Sequence, residues 1–148
     1  MKYEQGKQLE EFNRLYREMD QIYHGLAVRM GLSDSAFIIL YTIAELGEGC
    51  LQKDIAAWCS LSRQTVNSSI QNLKAQGFLS LDSGKGREKE IFLTEEGKGI
   101  VEEKIFPVME LEQSVFEEMS PKECQEMLKL MGKYVGKFRK KVEECGQE

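Results

Sequence analysis

The densest hydrogen-bonding chemistry in the chain lies in eleven residues, Ser62-Arg63-Gln64-Thr65-Val66-Asn67-Ser68-Ser69-Ile70-Gln71-Asn72. Wound as a helix, this run turns Val66, Ile70 and then Leu73 to one side and Arg63, Gln64, Asn67, Ser68 and Gln71 to the other. Side-chain amides can pair with adenine edges, and hydroxyls can serve bases or phosphates. The same residues would also make an ordinary solvated helix face.

Catalytic chemistry has less to draw on. Nucleophilic catalysis needs a cysteine or serine beside a base, and His24 is the only histidine. Cys50, Cys59, Cys124 and Cys145 are scattered without CxxC spacing, which argues against a zinc site and for reduced, structural thiols. Gly84 and Gly86 are not followed by the Gly-Lys-Ser/Thr of a phosphate loop. The pairs Glu95-Glu96 and Glu117-Glu118 are helix neighbours on different faces. These observations predict no enzyme, no cofactor and no metal.

The elements that would hold the eleven-residue run can be read from periodicity. Residues 5–30 carry Leu9, Phe12, Leu15, Met19, Ile22 and Leu26 on one stripe of a long helix, closed by Gly31. Ser33 can cap a second helix bearing Phe37, Leu40, Ile43 and Leu46, ending at Gly47 and Gly49. A short third helix, Gln52 to Cys59, is expected to turn Ile55 and Trp58 inward. Ser62 caps the fourth, 62–76, which Gly77 closes. The period then changes from 3.6 to 2, and residues 78–82 and 90–93 read as two strands around a polar loop, 83–89. Thr94 opens a fifth helix running to Met119 with a kink expected at Pro107. Ser120 and Glu123 form a capping box with Pro121 at the first turn of a sixth, whose stripe is Met127, Leu130, Met131, Tyr134, Val135, Phe138 and Val142.

Two short helices joined by a tight turn and followed by a hairpin are the order of a winged helix-turn-helix, whose second helix fits the major groove. The expected fold class is mainly α, a winged helix-turn-helix over 33–99 with long N- and C-terminal helices, 1–32 and 100–148, forming a dimerisation region. Their stripes exceed what the central unit could cover, which predicts pairing with a second chain.

Charge is consistent with a local site only. The net charge of −5 argues against a general nucleic-acid binder. Residues 50–90, however, hold six basic and four acidic groups between acidic flanks. The longest apolar run, Ala36 to Tyr41, is six residues, far short of the ~20 that span a bilayer. With no signal-type apolar region at the start, the expected location is the cytoplasm, without membrane partners.

The run from Leu51 to Gly97 resembles the MarR family of bacterial transcriptional regulators. The matching residues are Gln52-Lys53-Asp54-Ile55-Ala56, Ser62-Arg63-Gln64-Thr65-Val66-Asn67-Ser68, Leu73-Lys74-Ala75-Gln76-Gly77-Phe78, Gly86-Arg87 and Phe92-Leu93-Thr94-Glu95-Glu96-Gly97. Met119-Ser120-Pro121-Lys122-Glu123 is similar to the family's approach to its last helix. The resemblance implies a homodimer on a pseudo-palindromic double-stranded DNA operator, usually repressing. It also implies recognition-helix contacts at Ser62, Gln64, Thr65, Asn67 and Ser68, and a wing-tip arginine, Arg87, at the minor groove, where narrow grooves attract arginine. Arg63, Lys85 and Lys89 complete the expected DNA-binding set.

The chain departs from the pattern at Lys85, where the family often has an acidic wing brace, at Leu51, where it often has a capping threonine, and at Ser68, where many members have arginine. Within the resemblance, a small aromatic or apolar effector is expected in a cleft that Tyr16, Tyr23, His24 and Tyr41 could line. The alternatives are a winged-helix module that docks on protein, and a thiol-based regulator using Cys50 or Cys59.

Overall fold

The local signals for helix starts are met by hydrogen bonds. The computed structural model describes residues 3–83 and 89–146. Its elements in order are α1 (Lys7–Arg29), α2 (Asp34–Leu46), β1 (Cys50–Leu51), α3 (Gln52–Cys59), α4 (Arg63–Ala75), β2 (Leu79–Ser83), β3 (Lys89–Leu93), α5 (Glu95–Ile100), a π turn (Val101–Ile105), α6 (Phe106–Glu118) and α7 (Pro121–Cys145). Ser33 Oγ accepts from Ala36 N at 3.2 Å and Ser62 Oγ from Thr65 N at 3.1 Å, each satisfying an orphan amide of a first turn. At α7 the box closes both ways: Ser120 Oγ accepts from Glu123 N at 3.3 Å, and Ser120 N donates to Glu123 Oε2 at 2.9 Å. Leu51, before α3, has no side-chain acceptor. Its N–H donates to Asp54 Oδ2 at 3.2 Å, so α3 keeps half of such a box.

The chain divides into two compact units, Met1–Pro107 and Val108–Glu148. In the first, Ile39, Leu40 and Ile43 of α2, Ile55 of α3, Val66, Ile70 and Leu73 of α4, and Ile91 of β3 are fully or almost fully buried. Ile105 of the π turn is fully buried as well. These side chains come from the stripes the sequence displays, and their removal from water is the main stabilisation of the unit. The sheet is antiparallel in the order β1-β3-β2, with Leu81 opposite Ile91 and Cys50 opposite Ile91 on the other side.

Four features differ from the periodicity reading. A third strand, β1, pairs with β3; two residues are too few to show alternation. Ser83 and Lys89 pair within the ladder rather than lying in the loop. The Trp58 side chain faces outward, 58% exposed, because its indole Nε1 donates to Glu45 Oε2 at 2.6 Å while Ile55 takes the buried position. The segment after Thr94 contains a π turn immediately before Phe106-Pro107, where the proline lacks the N–H that a regular helix would use. From that turn Lys104 Nζ donates to the Met30 carbonyl at 2.8 Å, satisfying the end of α1.

The wing is locked to the end of α4 by one close approach. Gly77, at φ 84°, reverses the chain after α4. Thr94 N donates to the Phe78 carbonyl at 3.1 Å, Thr94 Oγ1 donates to the Gly77 carbonyl, and Gly97 N donates to Thr94 Oγ1 at 3.0 Å. A Cβ on Gly97 would overlap the Phe78 carbonyl oxygen and lie 2.9 Å from its carbon. Only glycine fits there.

Candidate nucleic-acid interface

The α4 helix is held from behind, which leaves its front free. Val66, Ile70 and Leu73 are 0% exposed, and Ser69 Oγ donates to Ser35 Oγ at 2.7 Å, tying α4 to the first turn of α2. The turn from α3 into α4 passes through Ser60 in the left-handed region, φ 54°. With its back fixed, the helix exposes Arg63, Gln64, Thr65, Asn67, Ser68 and Gln71. These are the amide, hydroxyl and guanidinium groups of the sequence reading, now on one exposed face.

Two hydroxyls on this face already have partners. Ser62 Oγ caps α4 and lies 2.8 Å from Thr65 Oγ1. Each hydroxyl can still take part in a further bond. Gln64, Asn67, Ser68 and Gln71 complete the face.

Beside α4 the first turn of α3 and the base of the hairpin enclose a cleft of about 430 Å³. Leu51, Leu81 and Ile91 are its apolar lining, and Lys53, Arg63 and Lys89 bring three cations to it with Gln52, Asn67 and Gln71. The structure therefore brings Arg63, Asn67 and Lys89 together. It adds Gln52 and Lys53, which sequence reasoning did not place at the site; the signal was their position in the first turn of the helix preceding α4. Lys85 and Arg87 lie outside the described residues.

The four side chains expected around an effector do not all converge. Tyr23 and Tyr41 stand on either side of Phe37, with ring centroids 6.3 Å and 6.1 Å from it. Tyr16 stacks on Phe12 at 6.5 Å and is 60% exposed. His24 Nδ1 sits 3.0 Å and 3.1 Å from the two carboxylate oxygens of Asp34, joining α1 to the start of α2.

Two of the thiols, Cys50 and Cys59, flank α3 beside the site. Burial pushes the Cys50 thiol up from its ordinary value, and the Asp54 carboxylate adds to the shift, so its thiolate is disfavoured. Cys59 Sγ donates to the Ile55 carbonyl at 2.9 Å. Among the described residues, no group of three or more histidine, cysteine or carboxylate side chains could hold a metal ion. No single described helix is long and apolar enough to cross a membrane.

Comparison with known proteins agrees with this geometry. Residues 30–88 match the MarR family model. No curated protein sequence matches the chain at a significant level. Among solved structures, it is similar to NMB1585, a MarR family regulator from Neisseria meningitidis, with a TM-score of 0.80 and 23% identity over 94% of this chain and 99% of that one. It is similar to Staphylococcus aureus MepR in complex with DNA, with a TM-score of 0.72 and 23% identity over 91% and 99%. Bordetella bronchiseptica BpsR, whose DNA binding is regulated by 6-hydroxynicotinic acid, superposes with a TM-score of 0.64 and 23% identity over 84% and 98%. Residues 30–88 thus match the MarR family model, and the chain as a whole shares the fold of these solved MarR family regulators.

Proposed function

We propose that this chain is a homodimeric, sequence-specific DNA-binding transcription regulator, acting in the cytoplasm as a repressor that a small aromatic or apolar ligand releases. The observation that carries the reading is the front of α4. Its exposed groups are those that read base edges, and its back is fixed by three fully buried side chains. In this reading α4 lies in the major groove, with Asn67 and Gln64 on bases and Arg63, Ser62, Thr65 and Ser68 on bases or phosphates. Lys53 and Lys89 meet the backbone, and the wing, with Lys85 and Arg87, reaches the minor groove.

The dimeric part of the reading is supported by apolar surface. On α1, Phe12, Leu15, Met19 and Ile22 are exposed. No residue of α7 is buried, although the helix carries seven large apolar side chains that are half exposed or nearly so. Faces of this size on one protein are covered by association. A two-fold dimer would set two α4 helices on half-sites about one helical turn apart. The DNA complex of MepR and the ligand control of BpsR support the corresponding roles here. The function is regulatory and not catalytic.

The test is selection of genomic fragments by the purified dimer at a stated salt near physiological strength. The expected result is a palindrome with half-sites about one turn apart. No enrichment by a folded dimer would overturn the reading in favour of a protein-docking module.

A further inference from the structure

The cleft beside α4 has a part that contact with a duplex leaves unused. Cations and amides at its rim can meet the phosphates and base edges of DNA lying across them. Such contacts need no apolar floor, yet half-buried Leu51 and Leu81 line the cleft together with a fully buried Ile91. Its volume of about 430 Å³ falls in the ~300–1,000 Å³ range of pockets that take small molecules.

Three elements bring polar chemistry to this floor. Lys53 comes from the first turn of α3, Arg63 from the first turn of α4 and Lys89 from the start of β3. None of the described residues that line the cleft is acidic, so the lining selects an anion. Cations on three separate elements surround a short chain of phosphates better than they fork onto a single carboxylate. Asn67 and Gln71, four residues apart, stand on the same side of α4. Each amide offers a donor and an acceptor in one plane, the pattern that pairs with the N6 and N7 edge of adenine.

We propose that the cleft binds a free adenine nucleotide, its base against Leu51 and Leu81 and beside the amides of Asn67 and Gln71, its phosphates among Lys53, Arg63 and Lys89. Arg63, Asn67 and Lys89 also belong to the proposed DNA contacts, so nucleotide and operator exclude each other. Release by this route occupies the reading surface itself and needs none of Tyr16, Tyr23 and Tyr41. The exclusion rests on the DNA-binding reading above; the nucleotide site does not.

Equilibrium dialysis of the full chain against radiolabelled ADP, without DNA and at one salt concentration, measures the site directly. The expected result is saturable ADP binding, with CDP about 5-fold or more weaker and adenosine and inorganic pyrophosphate weaker still. Asn67→Ala should weaken ADP binding about 5- to 150-fold, and Lys89→Ala about tenfold. Lys129→Ala, which removes an exposed cation from α7, should leave it unchanged. Asn67 and Lys89 are exposed, and circular dichroism reports the fold of each variant. Absence of ADP binding overturns the proposal, and equal binding of ADP and pyrophosphate overturns it in favour of a plain anion site. Fluorescence anisotropy on the selected operator then tests the exclusion. ADP at ten times its dissociation constant should raise the operator's apparent dissociation constant at least about tenfold, with pyrophosphate at the same concentration as the ionic control. Operator affinity unchanged by bound ADP overturns the shared site and leaves the DNA reading standing. A folded chain that selects no operator removes the DNA reading and the exclusion with it, while dialysis still decides the nucleotide site.

Discussion

Replacing Gly97 by alanine sets two physical effects against each other. Gly97 is the third residue of α5, and helix propensity alone favours alanine there by about 0.5–1 kcal/mol. Sterics oppose it: the new Cβ would overlap the Phe78 carbonyl oxygen, lie 2.9 Å from its carbon and sit 3.3 Å from Leu93 Cδ2. The obstacle is backbone, so no rotamer change relieves it. Moving α5 away would lengthen the Thr94 N to Phe78 carbonyl bond, now 3.1 Å, and disturb the Gly97 N to Thr94 Oγ1 cap, now 3.0 Å. Overpacking costs about 1–3 kcal/mol, and each weakened bond about 1 kcal/mol. Less the propensity gain, the net loss is roughly 2–4 kcal/mol. Urea unfolding followed by circular dichroism, at one protein concentration, measures it. With a slope near 2 kcal/mol/M, the midpoint of Gly97→Ala should fall by roughly 1–2 M. An unchanged or higher midpoint would refute the steric argument and leave propensity as the governing effect.

Three further outcomes follow from single groups. The hydroxyl of Thr42, a residue 1% exposed, has no hydrogen-bond partner among the described residues, so Thr42→Val should raise stability by about 1 kcal/mol; a lower melting temperature would mean that the hydroxyl is satisfied. The Ser120 hydroxyl, and then its N–H, hold the Glu123 carboxyl below the usual glutamate range. The cap therefore stabilises fully above that range and is lost as pH falls through the lowered value. Glu123→Gln should differ most from the parent at neutral pH and converge with it in acid, and parallel stability curves would contradict this. Arg87→Ala should reduce the salt dependence of operator binding by about one phosphate contact; an unchanged slope would remove Arg87 from the interface.

Much of the fold was legible because its signals are local. Ser33, Ser62, Thr94 and the Ser120-Pro121-Glu123 box announce helix starts with side chains that cap their own first turns. The buried faces of α2 and α4 follow the 3.6 period, since each packs one stripe inward. What escaped depends on partners distant in sequence. β1 exists because β3 offers it an edge, and Trp58 turns outward because Glu45, thirteen residues earlier, takes its N–H. The π turn before Pro107 leaves no compositional mark beyond the proline. For the site, the exposed groups of α4 were readable from spacing. The cleft was not, because Gln52, Lys53 and Lys89 meet α4 only through the packing of α3 and the hairpin.

The central claim is that α4 reads base edges, and Asn67→Ala tests it most directly. Binding of the parent and of the variant is measured by fluorescence anisotropy on the selected operator and on a scrambled duplex, at one salt concentration. A lost base contact costs about 1–3 kcal/mol, so affinity for the operator should fall about 5- to 150-fold while that for the scrambled duplex stays nearly constant. An equal loss on both duplexes would make Asn67 a backbone contact, and no loss on either would contradict the placement of α4 in the groove.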